Sequence, residues 1–522
     1  MQNPAFMRLC LLGALLLPAA CSTPKPAPPA FHPVAESPAP LDTNPQDIAI
    51  LNRVSWGANT AGAQAVEAQG IAHYLDEQLH PTADDHLPPD ARAQIAAMSI
   101  TRKPMSEIVS ELRADRAKVK AAKGSADSKT VRKAFQLVLT EYAREAATRS
   151  LLRDLYSTNQ LKERLTWFWF NHFNVSQKKA DIRAFVGDYE ENAIRPHVLG
   201  HFRDLLLATA FHPAMLLYLD NAKNAAGHIN ENYAREVMEL HTMGVGSGYT
   251  QKDVQELARI LTGVGINLTG RDRNRRWMPR DGYVRQGFFE FNPNRHDYGD
   301  KIFLGRTIHG AGLKEVYQAL DLLSREPATA HHISLQLATY FVSDNPPPAL
   351  VDAMAATFSA SDGDIAAVLT TMFHSPEFTA SLNGKFKDPI HYAISALRAT
   401  YGDTVIINPL PLLNWLNRMG EGLYMHETPD GYPLTQAAWT GPGEMETRFE
   451  IARQIGLGRS GLFRSPDMPG PEPAPTPHIQ QTRYYAAIAP TLSAATVQAL
   501  AQARTPADWN MLFLSSPQFM QH

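Results

Sequence analysis

Cysteine is nearly missing from this 522-residue chain: there are two, Cys10 and Cys21, both within the first 21 residues. The remainder therefore holds neither a disulfide framework nor a cysteine metal site, and its chemistry has to come from His, Asp, Glu, Arg, Ser and Tyr. An excess of one charge is missing too, with 49 Lys+Arg against 52 Asp+Glu, so composition points to no polyanionic or polycationic partner. Charged residues make up 19% and hydrophobic ones 44%. That balance excludes a disordered or fibrous chain, and the length suffices for two or three compact units of roughly 100–200 residues. Also absent are a G-x-S-x-G elbow, an H-E-x-x-H helix, a P-loop, an EF-hand loop and a C-x-x-C-H haem attachment. Simple serine hydrolase, zincin and nucleotide-driven classes lose their support. Gly244-Val245-Gly246-Ser247-Gly248 lacks dinucleotide spacing and reads as a helix C-cap with its turn.

One apolar run stands out, and it is an address. Arg8, the run Leu9 to Leu17 and the small residues Ala19-Ala20 follow the plan of a secretory signal peptide over 1–20, too short to span a bilayer. Leu17-Pro18-Ala19-Ala20-Cys21 resembles a bacterial lipobox, which implies a lipid on Cys21. Pro18 stands where Leu is usual and leaves ordinary signal-peptidase cleavage, with plain secretion to the periplasm, as the alternative. The Pro-rich stretch 21–46 favours an extended tether. Ser22 rather than Asp after the cysteine favours the outer membrane.

From about Asp47 the apolar spacing is mostly three and four, so the expected fold is mainly α: a multi-helix body over 47–464, a Pro-rich linker over 465–478 and a final helical segment, 479–522, packed on the body. Thr250–Asp253 and Ser361–Asp364 read as capping boxes. The polar, Arg-studded stretch 263–312 is expected to be a long irregular loop or short β insertion. Phe373-His374-Ser375-Pro376-Glu377-Phe378 is echoed by Leu514-Ser515-Ser516-Pro517-Gln518-Phe519, one helix-stop device used twice.

Asn230-Glu231-Asn232-Tyr233-Ala234-Arg235-Glu236-Val237-Met238-Glu239-Leu240-His241-Thr242-Met243-Gly244-Val245 and the following Gly248-Tyr249-Thr250-Gln251 resemble the bacterial "domain of unknown function 1800" family. So do Leu51-Asn52-Arg53 to Trp56-Gly57, Leu75 to Leu79, Trp167-Phe168-Trp169-Phe170-Asn171-His172-Phe173, Leu217-Tyr218-Leu219-Asp220-Asn221 and His296-Asp297 to Lys301. The resemblance implies an exported bacterial protein of mostly helical fold, encoded beside a second exported family, "domain of unknown function 1501". It supplies no established reaction. It also implies Phe as a frequent occupant of position 241.

Within that signature, a helix from Asn230 to Met243 places Asn232, Glu236, Glu239 and Met243 on one stripe. Two carboxylates at i,i+3 repel unless a cation, proton or metal lies between them. Arg235 reaches Glu231 and Glu239 at i±4, which gives a salt-bridged structural helix as one reading. The other makes Glu236 and Glu239 a general acid–base pair with Arg235 orienting them, or ligands of a divalent metal together with His172 or His296-Asp297. His172 stands in a helix that is apolar almost all round and expected to be buried, and reads as a hydrogen-bonded core histidine, a ligand or an acid/base. Glu190-Glu191-Asn192 with Arg195 and His197 reads as a solvated or salt-bridged face.

Arg275 and Arg276, with four further arginines, Trp277 and Tyr283, form a basic aromatic loop. Export removes nucleic acid as its partner, leaving an envelope polymer, lipid headgroups or a protein. Asn232, Arg275 and Arg276 are the candidate binding residues. Two functions follow as expectations: an enzyme, with or without a metal, hydrolysing or oxidising an envelope or extracellular substrate; or a non-catalytic binding or assembly protein working with an exported partner.

Overall fold

A computed structural model describes residues 44–269, 282–465 and 477–522. Among them 24 α-helical segments carry most of the chain, and five three-residue strands form two small sheets. This is the mainly α fold with a short β insertion that the apolar spacing requires. No described helix is long and apolar enough to cross a membrane. Cys21 lies outside the described residues.

The first helix, Pro45–Val54, starts two residues earlier than the spacing suggests. Asn44 accepts from the Gln46 backbone N–H at 3.0 Å, and Pro45 occupies the first turn, where a missing N–H costs nothing. Arg53 and Arg164 are wholly buried and act as staples. Arg53 donates to the carbonyls of Phe341 at 2.5 Å, Ser381 at 2.6 Å and His522 at 2.6 Å, and Arg164 donates to those of Arg53 at 2.6 Å and Ser55 at 3.2 Å. A buried guanidinium is tolerable only when its donors find such acceptors. The helix Pro506–Leu514 packs on Pro442–Gly456. Gly456 permits this, since a Cβ there would lie 2.9 Å from the carbonyl oxygen of Ala507.

In the insertion, β1 (Val264–Ile266) and β2 (Val284–Gln286) flank β3 (Phe289–Phe291), both antiparallel to it with Val264 and Val284 opposite Phe291. β4 (Lys301–Phe303) and β5 (Arg306–Ile308) form a hairpin whose two turn residues, Leu304 and Gly305, have φ of 48° and 72°, the sign that a tight antiparallel turn demands. Arg275 and Arg276 fall between β1 and β2, outside the described residues.

Thr250–Asp253 forms the expected capping box. At Ser361–Asp364 the expectation fails: Ser361 closes the preceding helix, and Asp364 is the N-cap, accepting from Ala367 N–H at 3.1 Å. Asp362 and Gly363 have φ of 55° and 77°, left-handed values that keep helix from starting sooner. The Ser-Pro-x-Phe echo is one device. Ser375 Oγ accepts from Phe378 N–H at 3.1 Å and Ser516 Oγ from Phe519 N–H at 3.2 Å, which turns each chain end and sinks a Phe into the core.

Candidate functional site

The signature helix begins where expected, with Asn230 Oδ1 accepting from Asn232 N–H at 3.1 Å. After Glu236 it widens into a π-helical stretch, Val237–His241, and closes with Gly244 N–H donating to Met238 O at 3.2 Å, Gly244 standing at φ 88°. Tyr233, Val237 and Met238 are buried and fix the opposite face. Arg235 bridges Glu231 at 3.5 Å and Glu239 at 3.2 Å and also donates to Gln251 Oε1 at 2.7 Å. Arg235 and Glu239 therefore follow the structural reading. Glu236 differs. It is half-buried, and among the described residues its carboxylate forms no ion pair or hydrogen bond. Burial, then the charge of Glu239, raise its pKa; Arg235 pulls the other way, and Asp430 adds to the rise. Asn232 is exposed and its Nδ2 approaches Leu219 O at 3.5 Å.

His172 ends the buried helix Gln160–His172. Its Nε2 donates to the His241 carbonyl at 3.1 Å, while His332 Nε2 donates to the Leu240 carbonyl at 3.3 Å. Both carbonyls terminate the π-helical stretch and have no onward helical donor, so the two imidazoles cap it. A carbonyl only accepts, so Nε2 of His172 carries the proton. Burial, then His332 and His241, hold its pKa well below the usual imidazole range. Neutral His172 is thus a backbone cap first.

His172 also lines a pocket of about 70 Å³ with Phe168, Asn171, His332, Gln336 and Asp430. The aromatic motif holds this pocket's rim. Asn171 Nδ2 donates to Tyr432 O at 2.9 Å and its Oδ1 accepts from Tyr432 N–H at 2.6 Å. Asn174 Nδ2 donates to Thr428 O at 2.7 Å, and Tyr218 OH to Glu427 O at 2.7 Å. Lys178 pairs with Glu427. Asp430 accepts from Thr428 Oγ1 at 2.5 Å, with His426 Nε2 at 3.3 Å. Two signature segments separated along the chain, 167–173 and 217–221, thus converge on the loop 424–433. Asp430, His426 and His332 were not singled out from sequence; the signal available was the turn-rich run His426-Glu427-Thr428-Pro429-Asp430-Gly431-Tyr432-Pro433.

His296 and Asp297 do not join this pocket. His296 Nε2 meets Glu315 at 2.5 Å and its Nδ1 meets the Thr262 carbonyl at 2.7 Å, while Lys301 Nζ reaches Glu315 at 2.5 Å. The partner of His296 is Glu315 and not Asp297. Asp297 instead pairs with Arg259 at 2.9 Å, the bond that chiefly lowers its pKa. The metal-ligand set of Glu236, Glu239, His172, His296 and Asp297 is therefore split. Among the described residues no group of three or more His, Cys, Asp or Glu side chains is placed to hold a metal.

The 190–197 segment follows the salt-bridged half of its reading and not the solvated one. Glu190 is buried and accepts from Tyr424 OH at 2.7 Å, and burial raises its pKa to about 7. Arg195 is buried between Glu163 at 2.5 Å and Asp85 at 2.6 Å. The segment forms a π-helical stretch, Tyr189–Ile194, which Ser150 and Arg153 of the long helix Ser128–Tyr156 reach at Glu190 and Glu191. That contact makes the charges internal. Elsewhere a cavity of about 360 Å³ is lined by Tyr74, Glu77, His80, Arg398 and Asp403. Arg398 is committed there, donating to the Gly57 carbonyl at 3.0 Å and the Leu155 carbonyl at 2.6 Å.

A family model described as Protein of unknown function (DUF1800) matches residues 49–521, and the chain belongs to that family. No curated protein and no solved structure matches it.

Proposed function

We propose that this family member is an exported envelope protein, lipid-anchored through Cys21, that acts as an acid–base hydrolase on an envelope or extracellular substrate, with Glu236 and Asp430 as its two carboxyls. The observation that carries the reading is Glu236: a half-buried carboxyl with no cation of its own, raised by burial and by neighbouring carboxylates. Such a group keeps a proton closer to neutral pH and can deliver it to a leaving group. Asp430, hydrogen-bonded by Thr428, supplies a second carboxylate in a different environment. Two carboxyls in unequal surroundings divide acid and base roles between them. The metal-assisted form of the reaction loses support, since its candidate ligands lie in two separate places. The leader and lipobox support export and anchoring.

The test uses the full chain in detergent, incubated with cell-wall sacculi and envelope polysaccharide while soluble fragments are measured. Glu236→Gln should abolish release with thermal unfolding unchanged. Release at the wild-type rate by Glu236→Gln, or none by either protein, would remove the enzyme reading. Partition of the wild type but not Cys21→Ser into detergent tests the anchor.

A second reading, a binding or assembly protein working with an exported partner of the "domain of unknown function 1501" family, is favoured by Ile229 and Val245. They are 40% and 76% exposed, two apolar side chains open to solvent at the ends of the signature segment. Capture of that partner, lost in Val245→Asp and in Arg275→Ala/Arg276→Ala, would support it.

A further inference from the structure

A different chemistry lies at Lys387. Its backbone is fixed on both sides: the N–H donates to Met520 O at 2.9 Å, and the carbonyl accepts from Arg448 Nη2 at 2.8 Å. The side chain is buried, and its Nζ donates to Ser395 Oγ at 3.1 Å. That hydroxyl spends its own proton on the Tyr392 carbonyl at 3.0 Å, so it meets the amine with a lone pair. Among the described residues no carboxylate forms an ion pair with Lys387. Nζ sits 4.1 Å from the centre of the Phe519 ring. Phe519 and Lys387 both line a cavity of about 90 Å³, together with Asn52, Tyr484, Phe513 and Gln518.

A buried ammonium without a counter-ion is expensive, and the usual escape is to lose the proton. Burial first, and then the charges of Arg448 and Arg164, bring this amine down to about 7. An amine that is neutral near physiological pH, hydrogen-bonded through one N–H and facing a cavity wall, has the properties of a carbonyl-capturing lysine. The cavity admits about three water-sized groups, so the class of ligand is a small aldehyde or ketone.

We propose that Lys387 is a nucleophilic amine that captures a small carbonyl compound in this cavity as an imine. The nitrogen lone pair forms a C–N bond to the carbonyl carbon as the C=O π bond opens, and an amine proton passes to the oxygen. Loss of that oxygen as water, with the second amine proton, leaves C=N. No oxidant or reductant is needed. The inference does not rest on the Glu236 reading.

The experiment is reductive alkylation of the full chain with propionaldehyde and cyanoborohydride, read by peptide mass spectrometry over a pH series. A lysine side chain in water is almost wholly protonated at pH 7, whereas an amine near 7 is about half neutral. Lys387 should therefore label on the order of tenfold faster than Lys252, with a midpoint near pH 7. Leu492→Trp, which fills the cavity rim without touching the amine, should slow that labelling and leave Lys252 unchanged. Labelling of Lys387 no faster than Lys252, labelling only after denaturation, or a rate indifferent to Leu492→Trp would overturn the assignment.

Discussion

Asn171 and Tyr432 exchange two hydrogen bonds across 261 residues of sequence, the Asn171 amide copying the pairing of a β-strand against the backbone of the loop. Gly431 makes the approach possible. It stands at φ 71°, and a Cβ there would fall 2.2 Å from Asn171 O and 2.8 Å from Asn171 Oδ1. Gly431→Ala should destabilise by about 2–4 kcal/mol, from left-handed strain and the clash together. Asn171→Ala should cost about 1–3 kcal/mol by leaving buried groups unpaired. Because both break one contact, the double variant should lose clearly less than the sum. Additive losses in denaturant unfolding would show that the clamp is not shared.

His241 is buried with its Nε2 unpartnered among the described residues, and burial, then His332, depress its pKa to about 3. The unfolded imidazole takes up a proton near 6.5 while the folded one refuses it. Stability contributed above pH 6.5 is therefore lost as pH falls toward 3, by about 1.4 kcal/mol per pH unit. His241→Phe keeps the ring and removes the titration. At pH 5 it should be about 2 kcal/mol more stable relative to wild type than at pH 7. Equal differences at the two pH values would refute this.

Glu190 works in the opposite direction. Its carboxyl is raised to about 7, mainly by burial, which outweighs the hydrogen bond from Tyr424. Below about pH 4.5 both states hold the proton, and the native preference for it counts in full. Between 4.5 and 7 the unfolded chain ionises first, so stability falls as pH rises and levels off above 7, a change of about 3 kcal/mol. Glu190→Gln retains the acceptor and should flatten that fall. Thermal unfolding at pH 5 and pH 8 reads the difference.

Arg235 has about a third of its side chain exposed, so its two bridges are each weak. Arg235→Ala should cost no more than about 1 kcal/mol. Its larger effect should be on Glu236, whose pKa Arg235 lowers. Carboxyl resonances followed by NMR should show Glu236 titrating at higher pH in the variant. An unchanged titration would mean that the two do not share a field.

The helices were legible because they depend on neighbours in sequence. Asn230, Thr250 and the apolar stripes of the signature announce themselves through spacing, and so does the Arg235 bridge at i±4. Ser361 misled because the left-handed turn at Asp362-Gly363 postpones the helix, and only backbone geometry shows that. In the run 190–197 the salt-bridged alternative held for Glu191 and Arg195, while Glu190 is buried against Tyr424, which only the tertiary packing shows. His296-Asp297 looked like a pair because the residues are adjacent, whereas backbone alternation sent one to Glu315 and the other to Arg259.

The sequence by itself determined the helical class, the place of the β insertion, the caps at Asn230 and Thr250 and the residues that carry the family signature, all of them consequences of interactions within a few residues. Tertiary structure alone decided which polar side chains remain unsatisfied. Whether a carboxylate, imidazole or amine keeps its ordinary pKa depends on what distant segments place around it. Packing gave His172 the carbonyl of His241, brought the charge of Asp430 within reach of Glu236 and enclosed Lys387 without a counter-ion. Burial and charge act through space, and spacing along a chain does not contain them.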